Sequence, residues 1–222
     1  MDVSIIITNY NYGAFLERCL RSCLSQHLPD HDFEVMVVDD ASTDMSREIL
    51  QVYKNKVRKI LLPENRGVAH ASNEGIKAAE GRFIVRVDAD DYINKYMILT
   101  QSLFLAFHPD HFGVSVDYAT VESIGDSKIG VHSAIDEPIS CGIMYRKDIF
   151  LREGLYNPDF RHREEMELRM RLSERYEIGN IPIPLYRYRQ HETNKSKSAE
   201  FQEIGKELTK QYVGSDEPVP SQ

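Results

Sequence analysis

Tryptophan is absent from this 222-residue chain, cysteine occurs three times, and basic residues are the minority, 27 Lys and Arg against 35 Asp and Glu. An odd handful of cysteines builds no disulfide framework, and Cys19 and Cys23, on the apolar side of a helical pattern, read as packing residues. The formal charge of −8 argues against a duplex nucleic-acid binder, whose affinity rests on phosphate neutralisation. An anionic small ligand would have to be met by a metal ion or by a few placed cations. Long apolar runs are missing too, and nothing approaches the roughly 20 residues of a membrane span. Peripheral association with a membrane surface stays open. Met1-Asp2 leads straight into a strand pattern without a basic n-region or a small-residue cleavage site. No secretory leader is therefore expected, and the expected location is the cytoplasm.

What the chain does contain, over about its first hundred residues, is an alternation of two hydrophobic periods. A β-branched run from Val3 to Thr8 ends in Asn9-Tyr10-Asn11-Tyr12-Gly13, after which Phe15, Leu16, Cys19, Leu20, Cys23 and Leu24 recur at helical spacing. The same grammar repeats in Phe33 to Val38 before Asp39-Asp40-Ala41-Ser42-Thr43-Asp44, in Val57 to Leu62 before a helix over Val68 to Ala79, and in Phe83 to Val87 before Asp88-Ala89-Asp90-Asp91. Repeated β-α units predict an α/β fold, a Rossmann-like, mostly parallel central sheet flanked by helices, because parallel strands need right-handed crossovers. After a helix near Asn94 to Phe107 the pattern changes. Val114 to Ser123 and Ile129 to Ile135 read as strands around Gly125-Asp126, predicting a smaller mixed or antiparallel portion. A helix over Arg163 to Tyr176, an extended stretch over Ile178 to Tyr188 and a mixed-charge helix over Ser196 to Tyr212 follow. The organisation expected is a β-α half over 2–107, a second half of the same domain over 108–195, a C-terminal helix over 196–213 and a disordered tail over 214–222.

Sheets of this kind bind ligands outside the carboxyl ends of their strands. Thr8-Asn9, Asp39-Asp40, Asn65-Arg66-Gly67 and Asp88-Ala89-Asp90-Asp91 all stand at such ends, so residues scattered along the sequence converge in space. Asp88, Asp90 and Asp91 crowd carboxylates whose repulsion a divalent cation would relieve. Hard oxygen ligands suit Mg²⁺ or Mn²⁺, held together with substrate phosphates. The plainer reading, a solvated acidic turn, stands beside this one.

In order and spacing, these pieces resemble the family 2 glycosyltransferases of the GT-A fold. The matching segments are Ser4-Ile5-Ile6-Ile7-Thr8-Asn9-Tyr10-Asn11, Val37-Val38-Asp39-Asp40 with Asp44, Asn65-Arg66-Gly67-Val68-Ala69 with Asn73-Glu74-Gly75-Ile76, and Gly81-Arg82-Phe83-Ile84 leading into Asp88-Ala89-Asp90-Asp91. Downstream, Gly154 to Asn157, Glu164 to Leu168 with Arg171, and Tyr188-Arg189-Gln190-His191 with Asn194 look like the acceptor-side elements. The resemblance implies a nucleotide-diphosphate-sugar donor, with UDP the expected nucleotide, a glycan or lipid-linked acceptor, and Mn²⁺ or Mg²⁺ as cofactor. It implies that Thr8, Asn9, Tyr10, Asp39 and Asp40 line the base and ribose pocket, with Asn65 and Arg66 near the base or diphosphate. Asp88 and Ala89 would face the ribose or donor sugar, Asp90 with Asp91 would hold the metal, and His191 lies where some members supply a further metal or diphosphate ligand. Glu165 occupies the position of the catalytic base, usually an Asp preceded by Glu. Here the pair is Glu-Glu, whose extra methylene moves the carboxylate by about a bond length.

Glu164 and Glu165 also admit a structural reading, as an acidic pair in the first turn of a helix, favoured by the macrodipole. A haloacid-dehalogenase-type phosphohydrolase would need Thr or Val after its aspartates, where Tyr92 stands. A nucleotidyltransferase would open with a Gly-rich, Arg-containing loop, which Thr8-Asn9-Tyr10-Asn11-Tyr12 is not. A non-catalytic nucleotide-sugar-binding protein is the alternative of a different class.

Overall fold

Both faces of strand β1, Val3–Asn9, are buried, which is why its sequence shows almost no polar alternation. It lies between β2 (Phe33–Asp39) and β4 (Phe83–Asp88), parallel to both, and β3 (Arg58–Leu61) pairs with the far side of β2. Helices α1 (Gly13–Leu24), α2 (Ser46–Val52) and α3 (Val68–Ala78) make the crossovers. The register is the fact that matters for chemistry: Thr8 stands opposite Val38 on one side and Asp88 on the other, and Asn9 stands opposite Asp39.

The structure is a computed structural model that describes residues 2–28, 32–123, 127–160, 163–192 and 199–212. Gly125-Asp126, Asn194 and the tail expected over 214–222 lie outside the described residues. The second half comprises β5 (Tyr92–Ile93), α4 (Met97–Phe107), β6 (His111–Glu122), β7 (Lys128–His132), β8 (Met144–Arg146), α5 (Lys147–Arg152), α6 (Glu164–Leu172), β9 (Glu177–Gln190) and α7 (Ala199–Tyr212). The sheet continues across both halves in the order β3-β2-β1-β4-β8-β6-β9-β5, with β7 hanging from β6 as an antiparallel hairpin partner. The expected mixed portion is present, with β8 antiparallel to both β4 and β6 while β6 and β9 run parallel. Pro182 and Pro184 sit where the β6–β9 register slips, Val116 facing Ile181 and Asp117 facing Pro184, so irregular pairing accommodates residues that cannot donate to a ladder. Sequence periodicity missed β5, β8 and α5 because two to six residues are too few to show a period. Among the described residues, no helix is long and apolar enough to cross a membrane.

Alternation along the buried strands divides the core. Ile5, Ile7, Val85 and Val87 face Leu16, Leu20, Met97 and Ile98 on one side of the sheet. Ile6, Met36, Val38 and Ile84 face Ile76, Phe150, Leu168 and Leu172 on the other. Arg86 and Asp88 extend the Ile84 face, toward α6. Helix α3 seats closely because it carries Gly75: a Cβ there would lie 2.5 Å from Ile6 Cγ2 and 3.1 Å from Val38 Cγ2.

Ala in place of Gly ordinarily stabilises a helix interior by about 0.5–1 kcal/mol. At Gly75 the overpacking should reverse the sign, and Gly75→Ala should destabilise the protein by about 1–3 kcal/mol in urea unfolding. A more stable variant would mean that α3 does not rest on β1 as described.

Candidate active site

Where β1 and β2 end, hydrogen bonds lock the loops before any ligand arrives. Asn9 Nδ2 donates to Asp39 Oδ1 (2.8 Å) and Ser42 Oγ (3.0 Å), while Asp39 Oδ2 accepts from the Ser42 amide (3.2 Å) and Arg47 Nε (3.3 Å). Asn11 and Ala41 take left-handed conformations here, at φ 58° and 62°. Asp40 does similar work one loop over: Oδ1 accepts from the Arg66 amide (3.0 Å), and Oδ2 from the Gly67 amide (2.8 Å) and Asn65 Nδ2 (2.9 Å). That contact folds 65–67 onto the start of α3. Asp39 and Asp40 are consequently buried beneath the rim, on which Tyr10, Asn11, Thr43, Asn65 and Arg66 are among the exposed residues.

At the end of β4, Ala89 is fully buried in the core and donates its amide to the Thr8 carbonyl (3.2 Å), which anchors the turn presenting Asp88 and Asp90. The Thr8 hydroxyl donates to Asp88 Oδ1 at 3.4 Å. Asp90 Oδ2 lies 2.8 Å from His191 Nε2, and the His191 ring is stacked on Phe15 with Tyr12 at its edge. Burial raises the Asp90 pKa above the usual carboxylate range; the His191 hydrogen bond opposes the rise and Asp88 adds to it. Asp91 is raised further, by burial first and then by repulsion from Asp90 and Asp88. Its oxygens are already engaged, Oδ2 by the Tyr186 hydroxyl (2.7 Å) and the Cys141 thiol (3.7 Å), Oδ1 by the Arg189 amide (2.8 Å). Arg189 Nε also donates to the Asp90 carbonyl (2.9 Å), so β9 braces the whole acidic turn from behind. Asp88, Asp91 and Cys141 each bring one possible metal-ligating atom to within 4.8 Å of the others, but burial pushes the Cys141 thiol up, away from the thiolate a cation needs.

Helix α6 brings its first residues to the same strand. Glu164 meets Arg86 Nη1 at 2.5 Å, and Arg86 Nε lies 3.2 Å from Asp88 Oδ1. Glu165 turns instead to Tyr145 and Tyr156, whose hydroxyls donate to its two oxygens, the Tyr156 bond at 2.8 Å, with Arg169 Nε at 3.4 Å. Burial, then the Glu165 charge, raises the pKa of both tyrosines well above the ordinary phenol value. Arg169, four residues after Glu165, is the arginine at that carboxylate; Arg171 instead pairs with Glu167 (2.7 Å) and holds the carbonyls of Glu153 and Leu155. Tyr186 is fully buried, with its hydroxyl on Asp91. Arg86 and Tyr186 were missed as contributors. A lone arginine in the apolar run Phe83 to Val87 was the available signal for the first.

The model of the glycosyl transferase family 2 matches residues 4–199 of the chain. Over 111 residues the chain is 38% identical to the poly(ribitol-phosphate) beta-N-acetylglucosaminyltransferase TarS of Staphylococcus aureus, a match covering 49% of this chain and 19% of that protein. It is 39% identical over 103 residues to the poly(ribitol-phosphate) beta-glucosyltransferase of Bacillus spizizenii, covering 45% of this chain and 16% of the relative. The matched stretches therefore span less than a fifth of either relative's length. Among solved structures, S. aureus TarS 1–349 in complex with UDP-GlcNAc matches with a TM-score of 0.79 at 25% identity, covering 98% of this chain and 68% of that one. The mannosyltransferase PcManGT of Pyrobaculum calidifontis, in complex with GDP-Man and Mn²⁺, shares the fold at a TM-score of 0.68 and 19% identity, covering 95% and 61%. The curled, mostly parallel sheet is the GT-A fold of TarS. On the family match over 4–199, this chain is a member of glycosyl transferase family 2.

Proposed function

We propose that the protein is a metal-assisted inverting glycosyltransferase, moving a sugar from a nucleotide-diphosphate donor to a hydroxyl of a glycan or lipid-linked acceptor in cell-surface polysaccharide synthesis. A UDP-sugar is the expected donor, since TarS 1–349 was solved with UDP-GlcNAc and matches nearly the whole chain. The observation that carries the reading is the parallel register that puts Thr8 beside Asp88 and Asn9 beside Asp39, with Asp90 and His191 paired at the same edge.

In this reading Tyr10, Asn65 and Arg66 meet the nucleotide from the exposed rim, with Arg66 supplying a cation toward the base or diphosphate. Thr8, Asn9, Asp39 and Asp40 form the floor, the two aspartates acting through the loops they hold. Asp88 faces the ribose or donor sugar. A carboxylate and an imidazole 2.8 Å apart, within a buried acidic cluster, fit a divalent cation, and the mixed oxygen and nitrogen set suits Mn²⁺ better than Mg²⁺. Asp90 and His191 would hold it, with Asp91 behind them. When bound, such an ion supplies Lewis-acid stabilisation of charge on the departing diphosphate. Glu165, at the first turn of α6, takes the acceptor proton by exchanging a tyrosine hydrogen bond for the acceptor hydroxyl. One base acting opposite one leaving group gives a single displacement with inversion, unlike the paired carboxylates of retaining glycosidases. Because Glu165 already has a partner on each oxygen, a nucleotide-sugar-binding protein without turnover is the second reading.

Two sets of measurements test these roles. In calorimetry, UDP should bind at least about tenfold more tightly with Mn²⁺ than with EDTA, and Asp90→Ala should remove that difference while leaving the fold intact. Equal affinities in the unaltered protein would count against the metal site. Glu165→Gln should lower transfer by about 10²–10⁴-fold with little change in UDP affinity, Glu164→Gln should lower it much less, and Glu165→Asp should retain activity. Near-normal turnover in Glu165→Gln would move the base elsewhere, and no turnover in the unaltered protein with any UDP-sugar would favour the binding reading.

A further inference from the structure

Arg86 is 6% exposed in the middle of an otherwise apolar strand, the least favourable place for a guanidinium. A buried ion pair is weak grounds for stability, because apolar residues of similar size commonly serve the fold as well. The arrangement of its N–H groups points to another use. Each contact reaches a different part of the molecule: Nη1 lies 2.5 Å from Glu164 at the start of α6, Nη2 donates to the Ser140 carbonyl at 2.6 Å, and Nε lies 3.2 Å from Asp88 Oδ1 at the end of β4. The Nε contact is close enough for an ion pair but off the line of a hydrogen bond, so Nε is buried without a hydrogen-bond acceptor among the described residues. On Asp88, the Thr8 hydroxyl and Arg86 Nε both address Oδ1. No hydrogen bond among the described residues reaches Oδ2, and the Asp88 side chain keeps 30% of its surface exposed. One oxygen faces Thr8 and Arg86 from within, and the other takes no hydrogen bond from either.

We infer that Arg86 is a positioning residue, setting the donor-side carboxylate of Asp88 and, through Glu164, the acceptor-side start of α6 in one register. The inference rests on the glycosyltransferase reading. Arginine is needed because its planar fork serves three directions at once, whereas a lysine ammonium is a point charge on a flexible stem. Asp88 without this cation would keep its place at the strand end but lose the contact that orients it toward ligand. Burial acts to lower the Arg86 pKa, yet Asp88 and Glu164 more than offset it and hold the group charged.

The test compares variants that differ at Arg86 alone. Removing Arg86 by itself strands Glu164 as a buried unpaired charge and endangers the fold, so the informative pair is Glu164→Gln against the double variant Arg86→Met with Glu164→Gln. UDP affinity with Mn²⁺ present, read by calorimetry, should stay within about twofold of the unaltered protein in Glu164→Gln and fall by about tenfold or more in the double variant, the usual weight of a contact to a charged group. Arg86→Lys, which keeps the charge and guards against a misfolded double variant, should raise the donor KM at least about fivefold with a smaller change in kcat. A purely structural Arg86 would lower the melting temperature of these variants and leave UDP affinity and donor KM unmoved, which overturns the inference. An unaltered protein that binds no UDP and releases none from any UDP-sugar overturns the reading beneath it. One that binds UDP as tightly as the folded double variant overturns the Arg86 inference alone.

Discussion

Negative charge held away from water is the constraint around which this sheet edge is arranged. Asp39, Asp40, Asp90, Asp91, Glu164 and Glu165 are all buried, and an ionised carboxylate in that setting persists only with partners. Each is served differently. Asp39 has Asn9, Ser42 and Arg47, Asp40 has the backbone amides of the 65–67 loop, Asp91 has Tyr186 and the Arg189 amide, and Glu165 has two tyrosine hydroxyls. Glu164 and Asp88 share Arg86. That leaves Asp90 facing His191, both of them buried, with burial and the neighbouring Asp88 acting against the charge on Asp90.

The same partners join the two halves of the chain. Asp39 and Asp40 are held from within the first half, but the acidic residues at the end of β4 are tied to the second, Asp91 by Tyr186 and Arg189 of β9, while Arg86 of β4 reaches Glu164 of α6. A change at the acceptor side is therefore expected to be felt at the donor side through a few stiff polar links rather than through bulk packing.

How much of this was legible in the sequence follows from distance along the chain. Buried parallel strands write themselves as aliphatic runs, so β1, β2 and β4 and the acidic residues that follow them could be read directly. The rim residues Asn65 and Arg66 could be placed at an edge, but the fact that Asp40 organises them needed the fold. Tyr186 and Arg189 stand more than ninety positions from Asp91, and no periodicity links such residues. Two ion pairs of α6 were legible as well. Arg169 stands four residues after Glu165 and Arg171 four after Glu167, and helical spacing alone assigns those pairs. Short elements such as β8 left no trace, although Met144–Arg146 is what turns the sheet from parallel to mixed.

The chemistry we propose is a single displacement at an anomeric carbon, between the acidic edge of β4 and the first turn of α6. The configuration of the product reports on it. With an α-linked UDP-sugar that supports turnover, proton NMR of the newly formed glycoside should show the β anomer from the earliest detectable product, accompanied by stoichiometric UDP. An α-configured product, or UDP released with only free sugar formed, would rule out an inverting transfer.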